Sequence, residues 1–234
     1  MENKKLNTIA IIPDGNRRWA RFNLSSVPNA YNLGIKKFLD FCEWCYGYGI
    51  DNIIVWGLST ENVGRPKAEL DGLFGAYRKL LEDEQTLKRL REREARLILV
   101  GVRDLLPANL LKAFEKLERS TRNFKKRRIF ALFGYGGKED IMHVAGEIAK
   151  DVRKGRVPSH VTEKSFKRYL LSKDVPEIDL VIRTSGEFRL SGFMPWQTTY
   201  AELYFANKYW PEFTRKDFEK VISNYMKRER RFGV

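Results

Sequence analysis

Apolar positions along the chain fall into two alternating kinds of segment. Short runs rich in Ile, Val, Leu and Phe occur at 8–12 (TIAII), 52–58 (NIIVWGL), 96–101 (RLILVG), 128–134 (RIFALFG) and 179–183 (DLVIR), with a weaker one at 202–206 (ELYFA). Between and after them, apolar residues recur at helical spacing over 34–48, 67–93, 108–122, 138–154, 163–172 and 214–229. Runs that are apolar throughout, rather than at every second position, fit strands buried on both faces. Strands alternating with helices predict right-handed β-α-β crossovers. The expectation is therefore one α/β domain over 1–234, with a central, mostly parallel six-stranded sheet flanked by helices.

In such a sheet, ligands bind beyond the carboxyl ends of the strands. The segments to inspect are those just after the runs: PDGNRRWA, STENVGRP, YGGKED and RTSGEFRLSG. Each combines Gly, Ser, Thr or Asn with at least one Arg, Lys or acid. Backbone N–H groups, hydroxyls and guanidinium forks are what phosphate oxygens require. Neither G-x-x-x-x-G-K-[ST] nor G-x-G-x-x-G occurs, so a nucleotide P-loop and a dinucleotide fingerprint are not supported.

Charge narrows the partners. Lys and Arg number 44 against 30 Asp and Glu, a formal net charge of +14, which points to a polyanion. Much of the excess is interleaved with acids, as in KLLEDEQTLKRLREREAR, and reads as a solvated face. No zinc finger, RNP1 stretch or basic region with heptads is present, so no nucleic-acid partner is expected. Phosphorylated ligands or a lipid surface remain by elimination.

Cys42 and Cys45 stand in CEWC inside an amphipathic helical pattern, where packing is favoured over redox chemistry. His143 and His160 have no acid or cysteine at ligand spacing, which argues against zinc chemistry and a Ser-His-Asp triad. No apolar run approaches the roughly 18–20 residues of a membrane span. The first residues, MENKKLNTIAII, lack a small-residue cleavage site, so the expected location is cytoplasmic.

The ordered motifs DGNRRWA, STENVGRP, GYGGKEDI, DLVIRTSGEFRLSGFMPWQTTYAELYF and RERRFG run nearly end to end. Together they resemble the cis-prenyltransferases of the undecaprenyl diphosphate synthase type. The resemblance implies a parallel six-stranded sheet, a hydrophobic tunnel for the prenyl chain and a homodimer. It also implies a reaction: an allylic prenyl diphosphate ionises with help from Mg²⁺, and its carbon alkylates isopentenyl diphosphate. Loss of a proton then leaves a cis double bond.

Residue roles follow from the matched motifs. Negative charge grows on the leaving diphosphate, so preorganised cations and N–H donors accelerate its departure. Asp14 would hold Mg²⁺, a hard ion that prefers carboxylate and phosphate oxygens, with Glu202 as the second metal-binding acid. Asp14 and Asn62 would be the catalytic pair, Asn62 lying near the reacting centre. Gly15, Asn16 and Arg18 would cradle the donor diphosphate, with Arg17, Trp19, Tyr31, Ser59 and Arg65 completing the substrate-binding set. Trp19 reads equally as core or tunnel wall. Arg183, Arg189 and Ser191 match the acceptor-diphosphate clamp, and Arg231 and Gly233 match the terminal R-x-G that reaches across the dimer. Arg183 and Arg189 also admit a plain reading, as surface partners of Asp179 and Glu187.

The chain departs from the family pattern, mostly on the donor side. Thr8 replaces a His, Pro13 a Met, Arg17 a Gly, Val27 an Arg and Tyr31 a His; Val63, Gly134 and Gly192 replace Trp, Asn and Asn. Three readings stay open: a chain-elongating synthase whose donor site is rebuilt around Arg17, a divergent prenyltransferase with another acceptor such as an alcohol or a second allylic diphosphate, and a non-catalytic subunit of a mixed dimer. A module for acidic lipid headgroups is the alternative that charge alone suggests. Gly57, small and on a tunnel-lining strand of the family, points to room for a longer chain. The basic surface adds an expectation of peripheral association with an anionic membrane.

Overall fold

The computed structural model describes residues 5–156 and 160–228. Six strands form one sheet: β1 (Thr8–Ile12), β2 (Asn52–Ser59), β3 (Ala95–Val100), β4 (Arg127–Tyr135), β5 (Leu180–Arg183) and β6 (Glu202–Phe205). Their spatial order is β3-β4-β2-β1-β5-β6, and every pairing is parallel. The expected α/β architecture is therefore what the chain adopts.

Continuous apolarity in the strands has the expected cause, because alternate residues feed two cores. Ile9 and Ile11 of β1, with Ile53 and Val55 of β2, join a large cluster on one face, together with Phe41 and Cys42 of α2 (Val27–Gly47) and Phe218 of α8 (Arg215–Lys227). Ala10, Ile12, Ile54 and Val181 face the other way, against Val175, Ile178, Phe193 and Met194. Cys42 and Cys45 are buried free thiols whose pKa burial pushes far up, so the packed-helix reading of CEWC holds.

Helix boundaries differ from the apolar pattern for local reasons. A short helix, α1 (Asn16–Phe22), precedes α2, which begins seven residues before position 34. Ser26 caps α2 by accepting from Asn29 N at 3.2 Å, and Pro28 fits its first turn. The segment 67–93 breaks into α3 (Lys67–Glu82) and α4 (Glu84–Glu92) at Asp83. Asp83 turns extended, and its carboxylate accepts from Gln85 N at 3.2 Å. The remaining helices are α5 (Ala108–Thr121), α6 (Gly137–Arg153) and α7 (Glu163–Tyr169).

Two features position the site. The chain leaves β1 toward β2 on one side and leaves β5 toward β6 on the other, so the β1/β5 border is a topological switch point. In β2 the pairing register slips against β4 between Trp56 and Leu58, a bulge that leaves Gly57 as the extra residue.

Candidate active site

The turn after β1 is built on Gly15, whose φ of 98° lies in the left-handed region. A side chain there would also press on Tyr209 and Ser185. Trp210 N at 3.0 Å and Thr184 Oγ1 at 2.7 Å both donate to Asp14 O, which fixes the backbone of Asp14. Its carboxylate accepts from Gly15 N at 2.6 Å, Arg18 Nη2 at 3.2 Å and Arg183 Nη2 at 2.9 Å. Asp14 thus meets Arg183 across the switch point.

From this centre opens a cavity of about 700 Å³. Arg17, Arg18, Arg65, Arg183 and Arg189 line it against Asp14, Glu61 and Glu187, leaving an excess of positive charge. Gly15, Asn16, Tyr31, Ser59, Asn62 and Ser191 line it too. The four segments chosen from the sequence thus contribute unequally, since none of the YGGKED residues reaches the lining.

On the β5 side, buried Arg183 donates to Arg189 O and to Ser191 Oγ at 2.9 Å, shaping the loop around its guanidinium. That loop holds Ser185 and Ser191 at φ of 78° and 53°, backbone strain of the kind functional loops retain. Glu187 bridges Arg18 at 2.5 Å and Arg189 at 2.5 Å, so two cations are held over one space. The plain surface reading is therefore correct for Arg189 with Glu187 only. Asp179 instead accepts from Asn7 N at 2.9 Å and Thr8 N at 3.0 Å, and Arg183 belongs to Asp14.

On the α2/α3 side, Tyr31 donates to Glu69 Oε1 at 2.6 Å and accepts from Arg65 at 3.0 Å. Arg65 and Arg17 lie 3.3 and 3.7 Å from the Glu69 carboxylate. The two departures Arg17 and Tyr31 therefore converge on one acid. Burial and then the hydrogen bond to Glu69 push the Tyr31 phenol up, so it stays protonated. Arg17 is the loosest member, its side chain 56% exposed, and it is free to swing onto an anion.

Several expectations are corrected. Glu202 does not join Asp14 within this chain: it pairs with Leu180 at the amino end of β6, three positions from Phe205, the register partner of cavity-lining Arg183, or about 10 Å at 3.3 Å per residue. There its carboxylate pairs with Arg228 at 2.7 Å. Trp19 is half-buried and outside the cavity lining. Gly57 does not signal free length, because a Cβ at that position would overlap the Phe133 ring. Phe133 in turn packs edge-on against Tyr77 at 4.6 Å and Phe114 at 5.0 Å, and this aromatic group backs the apolar end of the cavity. Arg231 and Gly233 lie outside the described residues. Glu69, Glu187 and Tyr77 are absent from the sequence-derived set; the ties of Glu69 to Tyr31 and of Glu187 to Arg18 span 38 and 169 positions, which no local pattern announces.

Burial pushes the Asp14 carboxyl up, but the hydrogen bond and charge of Arg183, then Arg18 and Gly15 N–H, outweigh it and hold the pKa below the ordinary value. Asp217 is lowered likewise, its burial outweighed by Thr214 and Lys208. For a lowered carboxyl, the stabilisation is complete above the unfolded value of about 3.9 and is lost as pH falls through the folded value. Melting temperature should accordingly be level from neutral pH to about 5 and fall steeply below about 4. Asp217→Asn should flatten part of that fall; an unchanged acid profile in the variant would contradict the assignment.

The comparisons with known proteins agree with this geometry. A family model described as "Putative undecaprenyl diphosphate synthase" matches residues 12–233. A tritrans,polycis-undecaprenyl-diphosphate synthase (geranylgeranyl-diphosphate specific) of Methanopyrus kandleri is 41% identical over 227 residues, 96% of this chain and 83% of that protein. An isoprenyl transferase of Thermotoga maritima is 39% identical over 225 residues, 96% of this chain and 95% of that one. Among solved structures, lavandulyl diphosphate synthase from Lavandula x intermedia, in complex with dimethylallyl diphosphate, superposes with a TM-score of 0.92 at 31% identity, covering 97% of this chain and 98% of that one. The chain belongs to the undecaprenyl diphosphate synthase family and is a prenyltransferase.

Proposed function

We propose that the cavity holds an allylic prenyl diphosphate and isopentenyl diphosphate side by side and joins them into a cis-prenyl diphosphate. One observation carries this reading: two cation groups flank Asp14 at the switch point, Arg17 with Arg65 on one side and Arg183 with Arg189 on the other. The first would take the allylic diphosphate and the second the acceptor diphosphate. Asn62 and Ser59, linked by Asn62 N donating to Ser59 Oγ at 3.2 Å, stand between them on the β2 side.

The donor set fits Mg²⁺, which is commonly bound through one or two carboxylates plus substrate phosphates rather than by an all-protein cage. No group of three or more potential ligands exists among the described residues, but Asp14 is a carboxylate open to the cavity with its pKa lowered. Asp14 would hold the ion, whose charge offsets that developing on the departing diphosphate. Glu202 remains a candidate only across a subunit boundary.

A homodimer is supported by β6, an edge strand whose residues are only half-buried, beside Phe188 and Tyr200 at 78% and 73% exposure. Phe133 favours a second, narrower reading, in which the prenyl chain is short and elongation stops early.

Purified protein incubated with Mg²⁺, labelled isopentenyl diphosphate and allylic diphosphates of increasing length should yield labelled product with at least one donor. No product with any donor, and activity only on adding a second homologue, would overturn the catalytic reading. Arg17→Ala should raise KM for the allylic donor about tenfold and spare that for isopentenyl diphosphate, while Arg189→Ala should do the reverse. Equal effects of both variants on both substrates would refute the division of the site.

A further inference from the structure

We propose that the turn joining α1 to α2 is a docking tip that seats the protein on an anionic lipid surface. Phe22 and Leu24 are 80% and 98% exposed at this turn. Leu24 has a φ of 49°, a conformation leucine seldom takes, and gains no burial in return.

The turn is nevertheless well tied. Asn23 N and Nδ2 donate to Trp19 O at 2.9 and 3.0 Å, Ser25 N donates to Ala20 O at 2.8 Å, and Asn29 Nδ2 donates to Ser25 Oγ at 2.9 Å. A firmly held turn thus projects two large apolar side chains into solvent.

Charge identifies the occupant. From Gly15 to Leu39 the chain carries five basic residues and no acid. Arg21, exposed within this segment, makes no ion pair among the described residues. A second copy docking tip to tip would set Arg21 against its own equivalent, and the chain's own RERR at 228–231 carries the same sign. Apolar side chains beside the unpaired Arg21, on a segment without acids, match the interface of a bilayer with negative headgroups.

The tip also stands close to the cavity. Helix α1 starts at Asn16 in the cavity lining and ends six residues later at Phe22, about 9 Å away at 1.5 Å per residue. Docking there would hold the cavity near the bilayer surface, where a prenyl product partitions. The benefit rests on the proposed reaction, but the docking itself requires no substrate.

Co-sedimentation of the substrate-free protein with vesicles of phosphatidylcholine alone or mixed with phosphatidylglycerol tests the proposal. Binding should require phosphatidylglycerol and weaken at high salt. Phe22→Ser with Leu24→Ser should reduce it about tenfold, and Arg21→Gln should reduce it at low salt only. Melting temperature and turnover in detergent-free solution should stay at wild-type values, since none of these side chains is buried. Absent binding, equal binding to both vesicles, or undiminished binding by the double variant would overturn the proposal. So would a change in sedimentation coefficient of the double variant without lipid, which would make the tip a protein contact.

Discussion

Asp14→Asn is expected to lower turnover at saturating substrates at least a hundredfold, with the chain still folded. The substitution keeps the shape and removes the charge at the centre of the site. Asp14 accepts from Arg183, Arg18 and Gly15 N, so its carboxylate orients the Arg183 guanidinium and, on the proposed reading, would offer the hard oxygen for Mg²⁺. An amide nitrogen facing Arg183 Nη2 sets donor against donor. Arg183 is 6% exposed and would lose its counter-charge, so a melting temperature lowered by several degrees is expected as well. Rates should therefore be compared below that lowered transition, alongside far-ultraviolet circular dichroism. Turnover within about threefold of wild type would show that neither metal nor diphosphate depends on this carboxylate.

Phe133→Ala should have the largest effect on stability and a distinct effect on product. Phe133 is 2% exposed and contacts the Tyr77 and Phe114 rings, so truncation should cost about 3–5 kcal/mol. The same truncation removes the ring that occupies the space beside Gly57, extending the apolar end of the cavity between β2 and α3. Products should then lengthen by one or more isoprene units. Phe133→Leu, which keeps most of the volume, covers the case in which the alanine variant does not fold, and should shift the distribution in the same direction by less. An unchanged product distribution from a folded variant would mean that the chain leaves the cavity by another route.

Much of the architecture was legible because its cause is local. Runs such as TIAII and the LVI of DLVIR are continuously apolar since both faces of the sheet are covered. Asp14, Gly15 and Arg183 were legible as residues at or just past the carboxyl ends of strands. The short helix α1 was not, because NRRW offers a single apolar residue in its first turn. The break at Asp83 was hidden by a helical pattern that resumes after one extended residue.

The bulge at Gly57 misled for a related reason: a glycine in a strand marks close approach as readily as space, and only β4 reveals that Phe133 fills it. Glu202 was legible as a motif residue, but the motif carries no information about its distance from Asp14 within the chain, which the register of β6 on β5 sets. Glu69 explains the departures at Arg17 and Tyr31 together, yet its tie to Tyr31 exists only once α2 packs on α3.

On the proposed reading, one cavity would hold two diphosphates around Asp14. Calorimetric titration of isopentenyl diphosphate into protein saturated with Mg²⁺ and an unreactive allylic thiolodiphosphate tests this directly. The expected result is a ternary complex with one equivalent of each ligand per chain, in which Arg189→Ala weakens only the second binding event, by about tenfold. Competition between the two ligands for a single site would contradict it.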